Sequence, residues 1–387
     1  LPLLLLGAAL TMGAIVNVNR FSLHGFYRNR LVRAYLGASH TDRKPDPFTG
    51  FDASDNLRMH KLRPSKGAQR LLPLINVTLN VLRDGNLAWQ ERKAESFSIT
   101  PYFCGNFHEG YRASEKYGGQ GGISLGTAVT ISGAAANPHM GYCSSPALAF
   151  VMSLFNVRLG AWLGNTNARG EKSYHLPGPR QALSPMLGEL FGYTTPDFKY
   201  VNLSDGGHFD NLGLYEVVLR RCRYIVVSDA GCDPDAKLGD LGNAIRKIRI
   251  DFGIPIRFEK EIEIYPNSSA KQGLYCATAR IDYDAVDKGT PPGRLLYIKP
   301  TLRGRGEHPV PYDVYSYART VDSFPHEPTS DQWFSESQFE SYRALGLHSL
   351  EQILRGSAPQ DFGDFFARVA SYMSPTRKRR AFKVENE

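Results

Sequence analysis

Cysteine is scarce in this 387-residue chain, and the five present (Cys104, Cys143, Cys222, Cys232, Cys276) are odd in number, widely spaced and free of any CxxC pair. This excludes a disulfide framework and a zinc site, and a reducing compartment is the simpler reading. No internal repeat or low-complexity tract interrupts the sequence. Tyr and Phe are plentiful, at 20 and 21, but do not interleave with Lys/Arg runs, so a nucleic-acid-binding face has no support. Asp229, Asp233 and Asp235 lack the Gly and final Glu of a calcium loop, and His208 has no second His near it. Neither a metal nor a cofactor is expected.

A full-length apolar span is also missing. The opening "LPLLLLGAALTMGAIVN" has no initiating Met and no charge before Arg20, yet falls short of the roughly 20 residues that cross hydrocarbon. A signal peptide would place a basic residue before the apolar run. Residues 1–17 therefore read as the end of a transmembrane helix. Arg20, His24, Arg28, Arg30 and Arg33 follow, a cluster that stays cytoplasmic under the positive-inside tendency. The globular part is expected on the cytoplasmic side of a membrane.

What is present suits a globular protein: 42% of residues are hydrophobic, enough for a substantial core. The formal charge of +8 favours anionic surfaces without choosing among them. Residues 18–70 combine a short helix ("LHGFYRNRLVRAYLGA") with a Pro/Asp/Gly-rich stretch, read as an irregular membrane-proximal collar. From 71 to 300 the texture is that of a folded α/β domain. "LLPLINVTLNVL" and "ESFSITPYFCG" read as strands, "LGTAVTISGAAA" and "SPALAFVMSLFNVRLGAWLG" as helical. Residues 301–387 form a connector, a helix at "SDQWFSESQFESYRALGLHSLEQIL" capped by Ser330 or Asp331, and a tail with the basic run 377–380.

The block 198–256 is the most regular. "FKYVNLSD" reads as a strand, Asp210 or Asn211 as the cap of a helix running to about Arg221, and "RYIVVSDAG" as a second strand. Strand, helix and strand make a βαβ unit, whose strands are parallel. Asp205 and Asp229 are then expected at carboxyl ends of parallel strands, where α/β sheets bind ligands. Asp205 has two readings. As a turn residue it bonds its own backbone while Gly206 and Gly207 adopt unusual conformations. As a functional residue it is a fixed carboxylate that orients or deprotonates a nucleophilic hydroxyl, lined by Ser204, Gly206, Gly207, His208 and Asn211. Asp229 reads as a capping Asp.

"SDGGHFDNLGLYEVVLRRC" resembles the Asp-Gly-Gly/Ala segment of patatin-like phospholipases and cytosolic phospholipase A2 relatives. "GTAVTISGAAANPHMGY" is similar to the small-residue stretch that precedes that segment in the family. "FSLHGFYRNRLVRAYLGAS" and "FPHEPTSDQWFSESQFESYRALG" resemble the large bacterial membrane-associated members, so the likeness runs from about residue 18 to 345. It implies a three-layer α/β sandwich with a partly parallel central sheet, located at a bacterial inner membrane. It also implies serine acyl hydrolysis of phospholipid or other lipid esters, with Asp205 as the aspartate of a Ser-Asp dyad.

The family's Gly-x-Ser-x-Gly elbow is matched in form by "GISLG", with Ser124 at its centre. An elbow follows a buried strand. Here the polar, Gly-rich "ASEKYGGQGG" precedes it, so Ser124 is a secondary candidate and Ser132, in "TISGAAA", a weaker one. The elbow and oxyanion loop are expected upstream of residue 1. The alternative function is a non-catalytic membrane-attached scaffold that keeps the fold.

Overall fold

The computed structural model describes residues 2–65, 71–82, 91–141, 144–328, 334–356 and 358–374. It divides into two compact units, Leu1–Glu216 and Val217–Glu387, each mixing helix and strand. The 71–300 segment read as one catalytic domain contributes to both.

In the first unit, α1 (Pro2–Ile15) and α2 (His24–Leu31, continued by a π-helical turn Val32–Gly37) precede four strands, β1 (Ile75–Asn80), β2 (Ala94–Ile99), β3 (Phe103–Asn106) and β4 (Gly110–Ala113). Helices α3 (Leu125–Ser132) and α4 (Pro146–Leu154), strand β5 (Ala161–Gly164), helix α5 (Leu183–Leu190), strand β6 (Tyr200–Asp205) and helix α6 (Leu214–Leu219) complete the order. The six strands form one sheet, β4-β3-β2-β1-β6-β5, in which every neighbouring pair is antiparallel.

The period-2 pattern of these strands decides their two faces. Ile75 and Val77 of β1 lie opposite Ile99 and Phe97 of β2, and Leu79 lies opposite Leu203 of β6. This apolar face packs with Ala128 and Ile131 of α3 around Met59, Tyr117 and Ile123. The alternate positions are polar: Thr78 opposes Ser96 on one side and Ser204 on the other. Thr78, Asn80, Ser96, Ser98, Asn202 and Ser204 are nevertheless all buried. Glu189 of α5 meets this polar face through Asn202 Nδ2, 2.9 Å from its Oε1. The apolar face of the sheet thus meets α3 and its polar face meets Glu189 of α5.

Two expectations are corrected here. The strands "VNLSD" and "YIVVS" do not form a parallel βαβ unit, because β6 pairs antiparallel with both β1 and β5 while the second strand belongs to a different sheet. The "GAWLG" end of the segment read as helical is strand β5. Among the described residues, no helix is long and apolar enough to cross a membrane. The 14 residues of α1 span about 21 Å at ~1.5 Å per residue, and Leu3, Leu4 and Ile15 are exposed on it.

The second unit holds β7 (Tyr224–Ser228), α7 (Gly239–Phe252), β8 (Ile256–Phe258), β9 (Cys276–Ile281), β10 (Gly293–Ile298), α8 (Tyr312–Thr320), α9 (Glu336–Leu354) and α10 (Phe362–Tyr372). Its sheet runs β7-β10-β9-β8, and only β7 and β10 are parallel. Phe366 and Val369 of α10 pack against Tyr275, Cys276 and Leu296. Helix α9 is capped by Ser335, whose Oγ accepts the Gln338 N–H at 3.1 Å. Ser330, Asp331, Trp333 and the basic run at 377–380 lie outside the described residues.

Candidate active site

Asp205 closes β6, opposite Val77 of the antiparallel neighbour β1, and not at the end of a parallel strand as expected. The chain turns at once through a single 3-10 turn, Gly206–His208. Asp205 Oδ1 accepts the Gly207 N–H at 2.7 Å, the self-capping bond of a turn aspartate. Gly206 is required by proximity: a Cβ there would sit 2.6 Å from the Asn76 carbonyl oxygen. Beyond the turn, Asp210 Oδ2 accepts the Tyr215 N–H at 2.8 Å and so anchors the first turn of α6, the role expected of Asp210 or Asn211.

Among the described residues, the Asp205 carboxylate has no cationic partner and no hydrogen bond reaches its Oδ2. It is largely withdrawn from water, and burial pushes its carboxyl above the ordinary range. Tyr27 of α2 stands near it: burial and then the Asp205 charge push the Tyr27 phenol up, and its hydroxyl donates to the Gly133 carbonyl at 3.1 Å. A mostly desolvated carboxylate with one pinned oxygen and one unpaired oxygen can accept a proton from a hydroxyl brought against it.

Ser204 and His208 flank Asp205 and bond each other, Ser204 Oγ to His208 Nδ1 at 2.9 Å. Asn80 Nδ2 donates to the same Oγ at 2.8 Å, and because His208 also bonds the Ala135 carbonyl, which takes the ring N–H, Nδ1 is left to accept the Ser204 hydroxyl proton. Burial lowers the His208 pKa to about 4, with the Ala135 carbonyl acting in the opposite sense. A serine against a neutral imidazole has the form of a nucleophile and its base. Ser204 is wholly buried, however, which excludes it from attack on a bulky ester.

The structure does not bring Ser124 to Asp205. Ser124 caps α3, its Oγ donating to Thr127 Oγ1 at 2.9 Å and accepting the Thr127 N–H at 3.2 Å. A loop rather than a strand precedes it. Ser132, at the other end of α3, donates to the Asn76 carbonyl at 2.7 Å. Asn211 is exposed, and its Oδ1 would lie 2.7 Å from a Cβ at Gly207. Two large cavities of this unit, of about 1620 and 790 Å³, do not include Asp205 in their walls.

Sequence reasoning missed a buried polar chain running inward from this turn. Asn80 Nδ2 and Asn137 Nδ2 donate to Asn202 Oδ1 at 2.7 and 2.9 Å. Asn202 and Trp162 Nε1 donate to Glu189 Oε1, and Arg158 holds both Glu189 oxygens at 2.6 Å. Arg158 and Glu189 are both fully buried. The signal was present in the alternation "NVTLN" and "VNLS", where Thr78, Asn80, Asn202 and Ser204 alternate with apolar residues and are buried rather than solvent-facing.

In the second unit Asp229 follows β7, and Lys299 follows the parallel β10. Asp229 Oδ1 accepts the Gly231 N–H at 2.8 Å, the local capping bond anticipated for it. Its Oδ2 meets Tyr297 Oη at 2.5 Å and the buried Lys299 Nζ at 3.2 Å. This carboxylate is fully committed. Among the described residues, one His/Asp group has metal-ligand spacing, His40, Asp52 and Asp55. Arg43 holds Asp55 through Nε and Nη2, and His40 Nδ1 lies 3.0 Å from it, so the group is an ion-pair cluster. No family model matches the chain, and no curated protein sequence does.

Proposed function

We propose that the chain carries the catalytic aspartate of a patatin-like serine acyl hydrolase acting on phospholipid or other lipid esters at a membrane. The observation that carries this reading is the state of Asp205: desolvated, unpaired with any cation, with one oxygen pinned by Gly207 and the other open. A purely structural turn aspartate gains nothing from such desolvation, which costs stability. Helices α3 and α5 on opposite faces of the six-stranded sheet support the patatin-type three-layer sandwich that goes with the reading.

The mechanism is acyl transfer. A serine hydroxyl attacks the ester carbonyl while the open Asp205 oxygen takes its proton and backbone N–H groups stabilise the oxyanion; collapse breaks the ester C–O bond, the leaving alcohol takes the proton from Asp205, and water activated by the same carboxylate then releases the acyl group as the free acid. No serine described here bonds Asp205, so the nucleophile is proposed to come from outside these 387 residues. A fluorophosphonate probe tests this directly. Labelling of the full-length protein, lost in Asp205→Asn but kept in Ser124→Ala, is the expected result; labelling that depends on Ser124 overturns it.

One observation favours a second reading, a membrane-attached scaffold without catalysis. Among the described residues, Asp205 has no hydroxyl partner, and it lines neither large cavity. Absence of both probe labelling and ester turnover in the full-length protein would select it.

A further inference from the structure

The larger cavity of the first unit, about 1620 Å³, is walled by residues from α1, α2, the 46–61 collar, the 118–124 loop and the edge near β5. Five of its lining residues are cations: Arg20, Arg28, Arg58, Lys61 and Arg180. Two carboxylates share the wall, and both are occupied by turn bonds. Asp46 accepts the N–H groups of Phe48 and Thr49, and Asp52 accepts those of Lys44 and Ser54. Among the described residues, Arg20, Arg28, Lys61 and Arg180 have no ion-pair partner and no side-chain hydrogen bond. The wall therefore carries a net positive charge that the protein itself does not neutralise.

The positions of these groups are fixed from below. Asn19 ties its segment to β5, Nδ2 donating to the Trp162 carbonyl at 2.8 Å and Oδ1 accepting the Trp162 N–H at 2.9 Å, which sets Arg20. His24 Nδ1 bonds the Leu159 carbonyl at 2.7 Å and seats α2, whose next turn carries Arg28. Arg58 Nη1 donates to Gly122 O at 2.7 Å, leaving the rest of its fork along the glycine loop.

That loop, "YGGQGG", supplies further donors. Gly118 N–H is bonded to Tyr174 and Gly122 N–H to Gly119, but the N–H groups of Gly119, Gln120 and Gly121 donate to nothing among the described residues. Gly122 has φ +80° and a Cβ there would stand 2.1 Å from the Ser114 carbonyl, so only glycine lets the loop fold back in this way.

From this juxtaposition we infer that the cavity is a binding site for a phosphate group, either as a lipid headgroup or as a soluble phosphate ester. Four guanidinium groups, one ammonium and the unbonded N–H-bearing residues Gly119 and Gln120 line one space, a donor set that suits an anion with three or four oxygens. Ile15, Val16 and Phe21 in the same wall give an apolar end to the space. The inference stands apart from the reading of Asp205, which lies outside this cavity.

The test uses the 387-residue chain and two probes. Calorimetric titration with glycerol 3-phosphate reads the soluble source. Flotation with phosphatidylglycerol vesicles, against galactolipid vesicles made equally negative with oleic acid, reads the headgroup. Arg28→Gln and Arg180→Gln remove cations that make no internal bond, and Lys61→Gln serves as an exposed second choice if either lowers Tm. Each is expected to weaken binding about tenfold or more, the scale of a charge-assisted hydrogen bond. Arg30→Gln, outside the cavity, is expected to leave binding unchanged. Titration by glycerol 3-phosphate assigns the free ester, and binding confined to phosphatidylglycerol assigns the lipid. Absence of both, equal binding to the oleic acid vesicles, or binding unchanged in the folded variants overturns the inference.

Discussion

Ser204 and His208 are joined by a 2.9 Å hydrogen bond across the Asp205 turn, while Asp205 Oδ1 caps the same turn by accepting the Gly207 N–H at 2.7 Å. On the proposed reading the pair that looks catalytic holds the turn, and the Asp205 carboxylate is the group that reacts.

Ser204→Ala should therefore act on stability. It leaves the His208 acceptor and one Asn80 donor bond unsatisfied, a cost of about 1–3 kcal/mol. Urea denaturation of the chain measures it, with ester turnover of the full-length protein changing by no more than a few-fold. A variant of unchanged stability and abolished turnover would make Ser204 the nucleophile.

Asp205→Asn and Asp229→Asn should separate cleanly. Asparagine can still accept the Gly207 N–H, so Asp205→Asn is expected to cost about 1 kcal/mol or less while lowering hydrolysis roughly 10²–10⁴-fold. Asp229→Asn leaves Lys299 charged, buried and uncompensated, a loss of about 3–5 kcal/mol. Equal activity loss with equal destabilisation in both would reduce Asp205 to a turn residue.

Gly206→Ala and Gly207→Ala should differ too. The added Cβ at 206 meets backbone, the Asn76 carbonyl, and is expected to cost about 1–3 kcal/mol. At 207 the nearest atom is the Asn211 side chain, which can move aside. Thermal melts of the two variants should place Gly206→Ala well below Gly207→Ala, and the reverse order would mean that the turn is not packed as described.

Acid should loosen the first unit before it reaches the carboxylates. Burial holds His24, His139 and His208 each at about 4. In the unfolded chain they titrate near 6.5. Between these values the unfolded state binds more protons, so the stability they contribute is complete above pH ~6.5 and drains away as pH falls toward 4. Asp205, raised in the fold, works in the opposite sense and loses its contribution as pH rises through its shifted value. Denaturation midpoints from pH 7 to 4.5 should fall with a slope approaching three protons. A flat profile would show that these imidazoles are not buried neutral.

The strands β1, β2, β6 and β7, helix α3 and the Asp-Gly-Gly turn were legible because each follows a local rule of period, cap or glycine. Pairing was not. The alternation in "VNLSD" is the same whether its neighbour runs parallel or antiparallel, and a helix between two strands suggested a crossover where α6 instead leads from one sheet to another. The buried pair Arg158 and Glu189 was invisible because charged residues in sequence are read as surface, and their partnership spans 31 positions.

The polar inner face of the sheet has one more consequence, for folding fidelity. A hairpin of Ile, Val and Leu alone could slide past its partner at little cost, since any apolar residue substitutes for another. Here a slip of β6 by one residue against β1 would drive Asn202 and Ser204 into the greasy side, strand the Asn80 amide without its two acceptors and take one donor from Glu189, each lost buried bond a penalty of about 1–3 kcal/mol. The asparagines thus act as a ratchet, and what they lock in place, at the last tooth of β6, is Asp205.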